Sequence, residues 1–178
     1  MVKRMPGKVI QFVLVLIMIL INLAGCGYHL TNRQAERKQS FQTVWIPFFS
    51  NESISPTAQT VLRRAFYDET HALRGMNPAS SQETADLFMK AKILSYSSGA
   101  VAYSSQDQVR AYKLYLNVEL EAYMKGQLLP IWKGQLQSSK QYAANNDLAL
   151  LRNAEDQALD GAARILAQKF ISAIEESY

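Results

Sequence analysis

Nucleophiles, bases and metal ligands are scarce in this sequence. One cysteine, Cys26, and two histidines, His29 and His71, occur in 178 residues. Neither histidine joins a set of ligands at zinc-binding spacing. Glu119 and Glu121 stand two apart, so a strand would put both carboxylates on one face. A neighbouring pair of that kind is ordinarily solvated surface. No glycine-rich phosphate loop and no Gly-x-Ser-x-Gly elbow occurs. The inventory speaks against an enzyme, and neither a metal nor a cofactor is expected. What remains is a lone thiol with no intramolecular disulfide partner, whose thiolate can be alkylated.

The residues before that thiol say what it is for. Lys3, Arg4 and Lys8 make a basic start, and 9–23 is then almost continuously apolar, broken only by Gln11 and Asn22. As a helix this run reaches about 22 Å, short of the ~30 Å hydrocarbon core. It reads as a secretory signal peptide. Two competing readings are a free cysteine buried in a core and an uncleaved membrane anchor. Gly25 and Gly27 flank the thiol where there is no core to bury it, and the run is short for an anchor. Leu23-Ala24-Gly25-Cys26 resembles the lipobox of bacterial lipoproteins. That resemblance implies that residues 1–25 are cleaved and that Cys26 is lipidated as the first residue of the mature chain. Several acyl chains hold a protein on a membrane where one does not. In that class an aspartate after the cysteine commonly favours retention in the inner membrane. Gly27 stands there instead, which leans towards the outer membrane, with the protein anchored on its periplasmic side.

Charge narrows the partners. The chain has 19 lysines and arginines against 15 acids, but three of the cations lie in the leader, leaving the mature chain near neutrality. A nucleic-acid partner is therefore not expected. The hydrophobic share of 48% fits a globular domain, which must be held by packing alone without disulfides.

Residues 26–40 carry polar and charged side chains without clear periodicity and read as a tether. A single domain is expected over 41–178. Val44, Ile46 and Phe48 alternate with Trp45, Pro47 and Phe49 in a strand pattern apolar on both sides. Pro47 cannot donate to a ladder, so this strand belongs at an edge or a bulge. Ser55-Pro56 reads as a helix N-cap and first position. Ala58, Val61, Leu62, Ala65, Phe66, Ala72 and Leu73 then mark one helix face, and Arg74-Gly75 the stop. A short strand is possible within 76–84. From Ala85 the period is two: Leu87, Met89, Ala91 and Ile93 point one way, with Phe88, Lys90, Lys92, Leu94 and Tyr96 opposite. The small polar residues around Gly99 suggest a hairpin end. The clearest strand runs from Tyr112 to Lys125, followed by a turn at Lys125-Gly126-Gln127 and another strand through Trp132, Gly134 and Leu136. Asn145, Asn146 and Asp147 can each cap a closing helix, which carries Leu148, Leu151, Ala158, Leu159, Ala162, Leu166, Phe170, Ala173 and Ile174 and ends near Glu176.

These elements predict an α+β fold, a two-layer α/β sandwich with two helices packed on one face of a mostly antiparallel sheet of four to five strands. The other sheet face is then uncovered. It would display Lys90, Lys92, Lys113, Lys125 and Lys133 among Phe88, Tyr96, Tyr115 and Tyr123, with Glu119 and Glu121 tempering the charge. Lysine stems beside tyrosines suit a docking surface for a protein or a phosphate-bearing amphiphile. An ordinary solvated sheet face, kept from aggregating by its lysines, explains the same residues.

The order and spacing of "GCGYHL", "IPFFSNESISP" before a helix, "ADLFMKAKILSYS", "YKLYLNVELEAY" and a closing helix resemble the LptE family of lipopolysaccharide-assembly lipoproteins. The resemblance spans nearly all of the mature chain, although no single segment is a unique motif. It implies a noncatalytic outer-membrane lipoprotein that plugs and helps assemble the LptD β-barrel and takes part in passing lipopolysaccharide to the outer leaflet. It also implies a basic residue contacting lipopolysaccharide phosphate where the last loop enters the final helix, and Arg152 in "ALLRNAEDQ" holds the similar place. The family's second basic contact, in its central hairpin turn, has no match in "AYSSQDQ", although Arg110 is nearby. A regulator of a periplasmic peptidoglycan synthase is the alternative from a different class. Against it, the tether reaches at most about 50 Å.

Overall fold

The computed structural model describes residues 41–177. The leader, Cys26 and the tether lie outside the described residues. Three short strands and one helix come first: β1 (Thr43–Trp45), β2 (Ser50–Asn51), α1 (Ala58–Arg74) and β3 (Asn77–Pro78). Three long strands and a helix follow: β4 (Leu87–Tyr103), β5 (Val109–Met124), β6 (Trp132–Ala143) and α2 (Leu148–Glu176). The sheet is ordered β3-β1-β4-β5-β6, with β2 also paired to β4. The long strands are antiparallel and the short ones pair in parallel. The α+β sandwich is thus as expected, its sheet mixed at one side and six-stranded.

Pro47 has the expected effect. β1 matches Trp45 to Phe88 and β2 matches Ser50 to Lys92, so the first chain spends one more residue than β4 between the two pairings. The break falls over 46–49, where the proline ring removes a donor. Arg63 Nε and the Tyr67 hydroxyl donate to the Ile46 carbonyl in the break, and Tyr67 also accepts from the Ile46 amide.

The core fills the space between the sheet and both helices. From β5 it takes Leu114, Leu116, Val118, Leu120 and Ala122, the even positions of a half-buried strand. α1 contributes Leu62, Ala65 and Phe66, and α2 contributes Leu159, Leu166 and Phe170. Phe66 lies between Phe49 and Phe170, with ring centroids 5.4 and 5.6 Å apart, and Trp132 meets Phe170 edge-on at 5.4 Å. Each such pair adds about 0.5–1.5 kcal/mol to the burial itself.

Four local expectations change. α1 begins at Ala58 after Thr57, not after Ser55-Pro56, because Asn51 folds 51–55 on itself: its Oδ1 accepts the Ser53 amide and its Nδ2 donates to the Ser55 carbonyl. Ala72 and Leu73 are exposed, while Glu69 and Thr70 take the inward positions. Thr70 satisfies its hydroxyl on the Phe66 carbonyl, and Glu69 accepts from Arg164 and Gln168 of α2. β4 runs past Gly99 to Tyr103, and the turn is 104–108, tied by the Ser104 hydroxyl, which accepts the Gln106 and Gln108 amides. Finally, the β4–β5 register shifts between Ile93 and Ser95, a bulge that exchanges the faces of β4. Tyr96 therefore joins the core side instead of the open face.

The stop of α1 and the start of α2 behave as expected. Gly75 adopts φ 66° and its amide donates to the His71 carbonyl, a left-handed cap that glycine takes without strain. Asp147 caps α2, its Oδ1 accepting the Ala149 amide at 2.8 Å and the Leu150 amide at 3.3 Å.

Candidate functional site

The face of the sheet turned away from the helices is built by the odd positions of β5 and their neighbours. β5 pairs Tyr123 with Phe88, Glu121 with Lys90 and Glu119 with Lys92 on one side, and Glu121 with Lys133 on the other. This register decides the electrostatics. Lys133 Nζ lies 2.5 Å from Glu121 and 3.7 Å from Glu119. Lys92 reaches Glu52 at 2.7 Å. Lys90 sits over the Tyr123 ring at 4.9 Å, and Lys113 over Tyr115 at 5.3 Å, both in cation–π range. Tyr123 is only 8% exposed: its ring stacks on Phe88 at 4.9 Å, and its hydroxyl donates to Glu121 at 2.5 Å.

Titration follows from these contacts. Lys133 and then Tyr123 hold Glu121 below the usual carboxylate range. Glu121 in turn raises both Tyr123 and Lys133. The face is polar, hydrogen-bonded and close to neutral, not a cationic stripe. Of the residues expected to dock a partner, Lys90, Lys92, Lys113, Tyr115, Tyr123 and Lys133 do share this face, while Lys125 lies in the turn beyond β5.

A second polar region lies at the end of the sheet where the 104–108 turn closes β4 on β5, here called the tip. On the helix side, the Tyr96 hydroxyl donates to Glu155 of α2; burial and that carboxylate both push the phenol up. Tyr142 stacks on Tyr112 at 5.5 Å, and its hydroxyl is 2.6 Å from that of Ser98. Arg110, Lys113 and Lys140 belong to the same half of the sheet, where Lys113 opposes Gln141 and Leu114 opposes Lys140. The Arg110 carbonyl accepts the Ala144 amide just before α2. Arg152 is exposed within the first turns of α2. Among the described residues none of these four cations forms an ion pair. Sequence reasoning named Arg152 and Arg110 but missed Lys140 and the Tyr96–Glu155 contact. Lys140 was findable, since it continues the two-residue period of Leu136; the tyrosine contact depends on the bulge.

Among the described residues no three His, Cys, Asp or Glu side chains gather in a metal-binding group, and no helix is long and apolar enough to cross a membrane.

Two helices on one face of a sheet whose other face is open define a class of small two-layer domains, and solved structures share it. A protein of Caulobacter crescentus CB15 described as a lipoprotein superposes with a TM-score of 0.51 at 14% identity, covering 71% of this chain and 86% of its own. CT253 from Chlamydia trachomatis gives 0.52 at 10% identity, covering 75% and 95%. Rare lipoprotein B from Shewanella oneidensis gives 0.50 at 13% identity, covering 75% and 95%. At these identities the likeness is one of fold. No curated protein sequence matches the chain. The family is defined by sequence: residues 41–174 match the model of the lipopolysaccharide-assembly family LptE, and the chain belongs to that family.

Proposed function

We propose that this chain is a noncatalytic outer-membrane lipoprotein that seats its open sheet face in an LptD-like β-barrel and takes part in lipopolysaccharide transport and insertion at the outer leaflet. In this reading residues 1–25 are removed, Cys26 carries the acyl chains, 26–40 tethers and 41–178 is the working domain. Membership of the lipopolysaccharide-assembly family supports the role, and the neighbouring fold described as a lipoprotein agrees with the anchor.

The observation that carries the reading is the split between the open face and the tip. A face whose lysines are already satisfied by Glu52, Glu119, Glu121 and tyrosine rings suits the polar lumen of a barrel. Placing it there leaves each of these lysines with the acid or ring that it already holds. At the tip, Arg110 and Arg152 have neither an acidic partner nor a ring among the described residues and can offer guanidinium forks to lipopolysaccharide phosphate.

Gentle detergent extraction should recover the protein with a barrel of high mass. Recovery of the protein alone under conditions that keep such barrels intact would overturn the plug. Arg152→Glu should weaken lipopolysaccharide binding by about tenfold or more, as loss of a charge-assisted contact worth at least ~1.4 kcal/mol requires, with an unchanged melting temperature. Unaltered binding removes Arg152 from the site.

A further inference from the structure

At the end of the sheet opposite the tip, the base, the β5–β6 turn carries Leu128 and Leu129, adjacent in sequence and 96% and 78% exposed. Hydrogen bonds hold the turn at both ends: the Gln127 amide donates to Met124 at 3.1 Å and the Ile131 amide to Ala122 at 2.8 Å. Gly126 takes φ 78° within the turn, and both leucines stand in solvent. Scattered exposed leucines are normal; an adjacent pair at the apex of a pinned turn is an apolar wedge.

Where the N-terminal chain joins the domain identifies what the wedge meets. Asp86 Oδ2 accepts the amides of Gln42 and Thr43, and the Asp86 carbonyl accepts the amide of Lys125 in the same turn. Residue 41, which links everything N-terminal to the domain, is therefore at the base beside the wedge. We infer that Leu128 and Leu129 insert into the phospholipid leaflet that holds lipidated Cys26. The inference rests on the lipid anchor proposed above. Residues 26–40 keep the base within about 50 Å of that leaflet. Two leucines are far too little surface for a stable protein interface. They suit a second, weak signal that orients a protein already anchored. Lys125 adjoins the wedge, while Asp86, Glu83 and Glu176 at the same end disfavour dense anionic charge. Apolar insertion, not headgroup attraction, carries the contact.

The mature lipidated chain, with Leu128→Cys labelled by an environment-sensitive dye, is reconstituted in phosphatidylethanolamine–phosphatidylglycerol vesicles containing nitroxide-labelled lipid. Alkylation of Cys26 leaves the introduced thiol free for selective labelling, and Gln106→Cys at the tip is the reference. Flotation of the vesicles first reports the anchor. The expected result is a blue shift and lipid quenching at 128 with neither at 106, and loss of both at 128 when Leu129→Ser is added. A chain that floats with a dye at 128 as water-exposed as at 106 overturns the wedge and leaves the anchor standing. Protection at 128 only when a barrel co-purifies would assign the leucines to protein and overturn the lipid contact. A chain that does not float overturns both readings.

Discussion

The two faces of β5 are made from one stretch of chain and held by different physics. The even residues, Leu114 to Ala122, are fully covered and stabilise by apolar burial at about 25 cal/mol per Å². The odd residues, Lys113 to Tyr123, are held by cross-strand partners, cation–π contacts and one stacked ring pair. Each exposed pair of that kind contributes under about 1 kcal/mol. Alternation of side chains thus divides two tasks within a single strand. One face makes the fold, and the other is free to meet a partner at little cost in stability.

Four substitutions would break or sharpen this contrast. The largest effect is expected at Leu116, fully buried beneath the helices, where Leu116→Ala should cost ~2–5 kcal/mol. Its neighbour Tyr115→Ala should cost under about 1 kcal/mol; equal losses in chemical denaturation would show that the two faces are not distinct. Tyr123→Ala tests the middle ground, because this ring is on the open face yet covered by Phe88. A loss of roughly 2 kcal/mol, from burial plus stacking, is expected by the same measurement, and a loss near that of Tyr115 would show that the stack contributes nothing.

The smallest effect belongs to Glu121→Gln, at most about 1 kcal/mol at neutral pH, and it carries a pH signature. Lys133 and Tyr123 lower the folded-state pKa of Glu121, so its contribution is present above the ordinary glutamate value of about 4.3. It fades as pH falls below that value through the lowered one. The melting temperatures of the parent and Glu121→Gln should therefore converge on acidification. A constant gap would assign the effect to packing.

The period of two made β5 legible in the sequence, since its alternation runs unbroken from Tyr112 to Lys125. The same reasoning failed in β4 beyond Ile93. A bulge inserts one residue without changing composition, so nothing in "KILSYSS" shows that Tyr96 changes face. Ser55-Pro56 misled for a related reason: the side-chain Nδ2 of Asn51, four residues earlier, donates to the Ser55 carbonyl and captures the backbone there before the helix begins. For the open face, residue types were legible and the net charge was not. Whether a lysine meets a glutamate is set by strand register, and Lys133 opposite Glu121 emerges only once β5 and β6 are aligned. Arg152 stood out only through family resemblance, because an exposed arginine near a helix start carries no signal of its own.

The break at Pro47 and the Asp86 contacts determine how the domain answers a pull. β1 lies parallel to β4, its ladder bonds cross the strand axis, and three further bonds from Gln42 and Thr43 converge on Asp86 Oδ2. Tension applied at residue 41 along that axis loads these bonds together, in shear, and not one after another. Past the break, β2 holds β4 separately at Ser50 and Asn51. The domain is thus fastened twice at the end where its N-terminal chain arrives, and slippage of the first fastening leaves the second engaged.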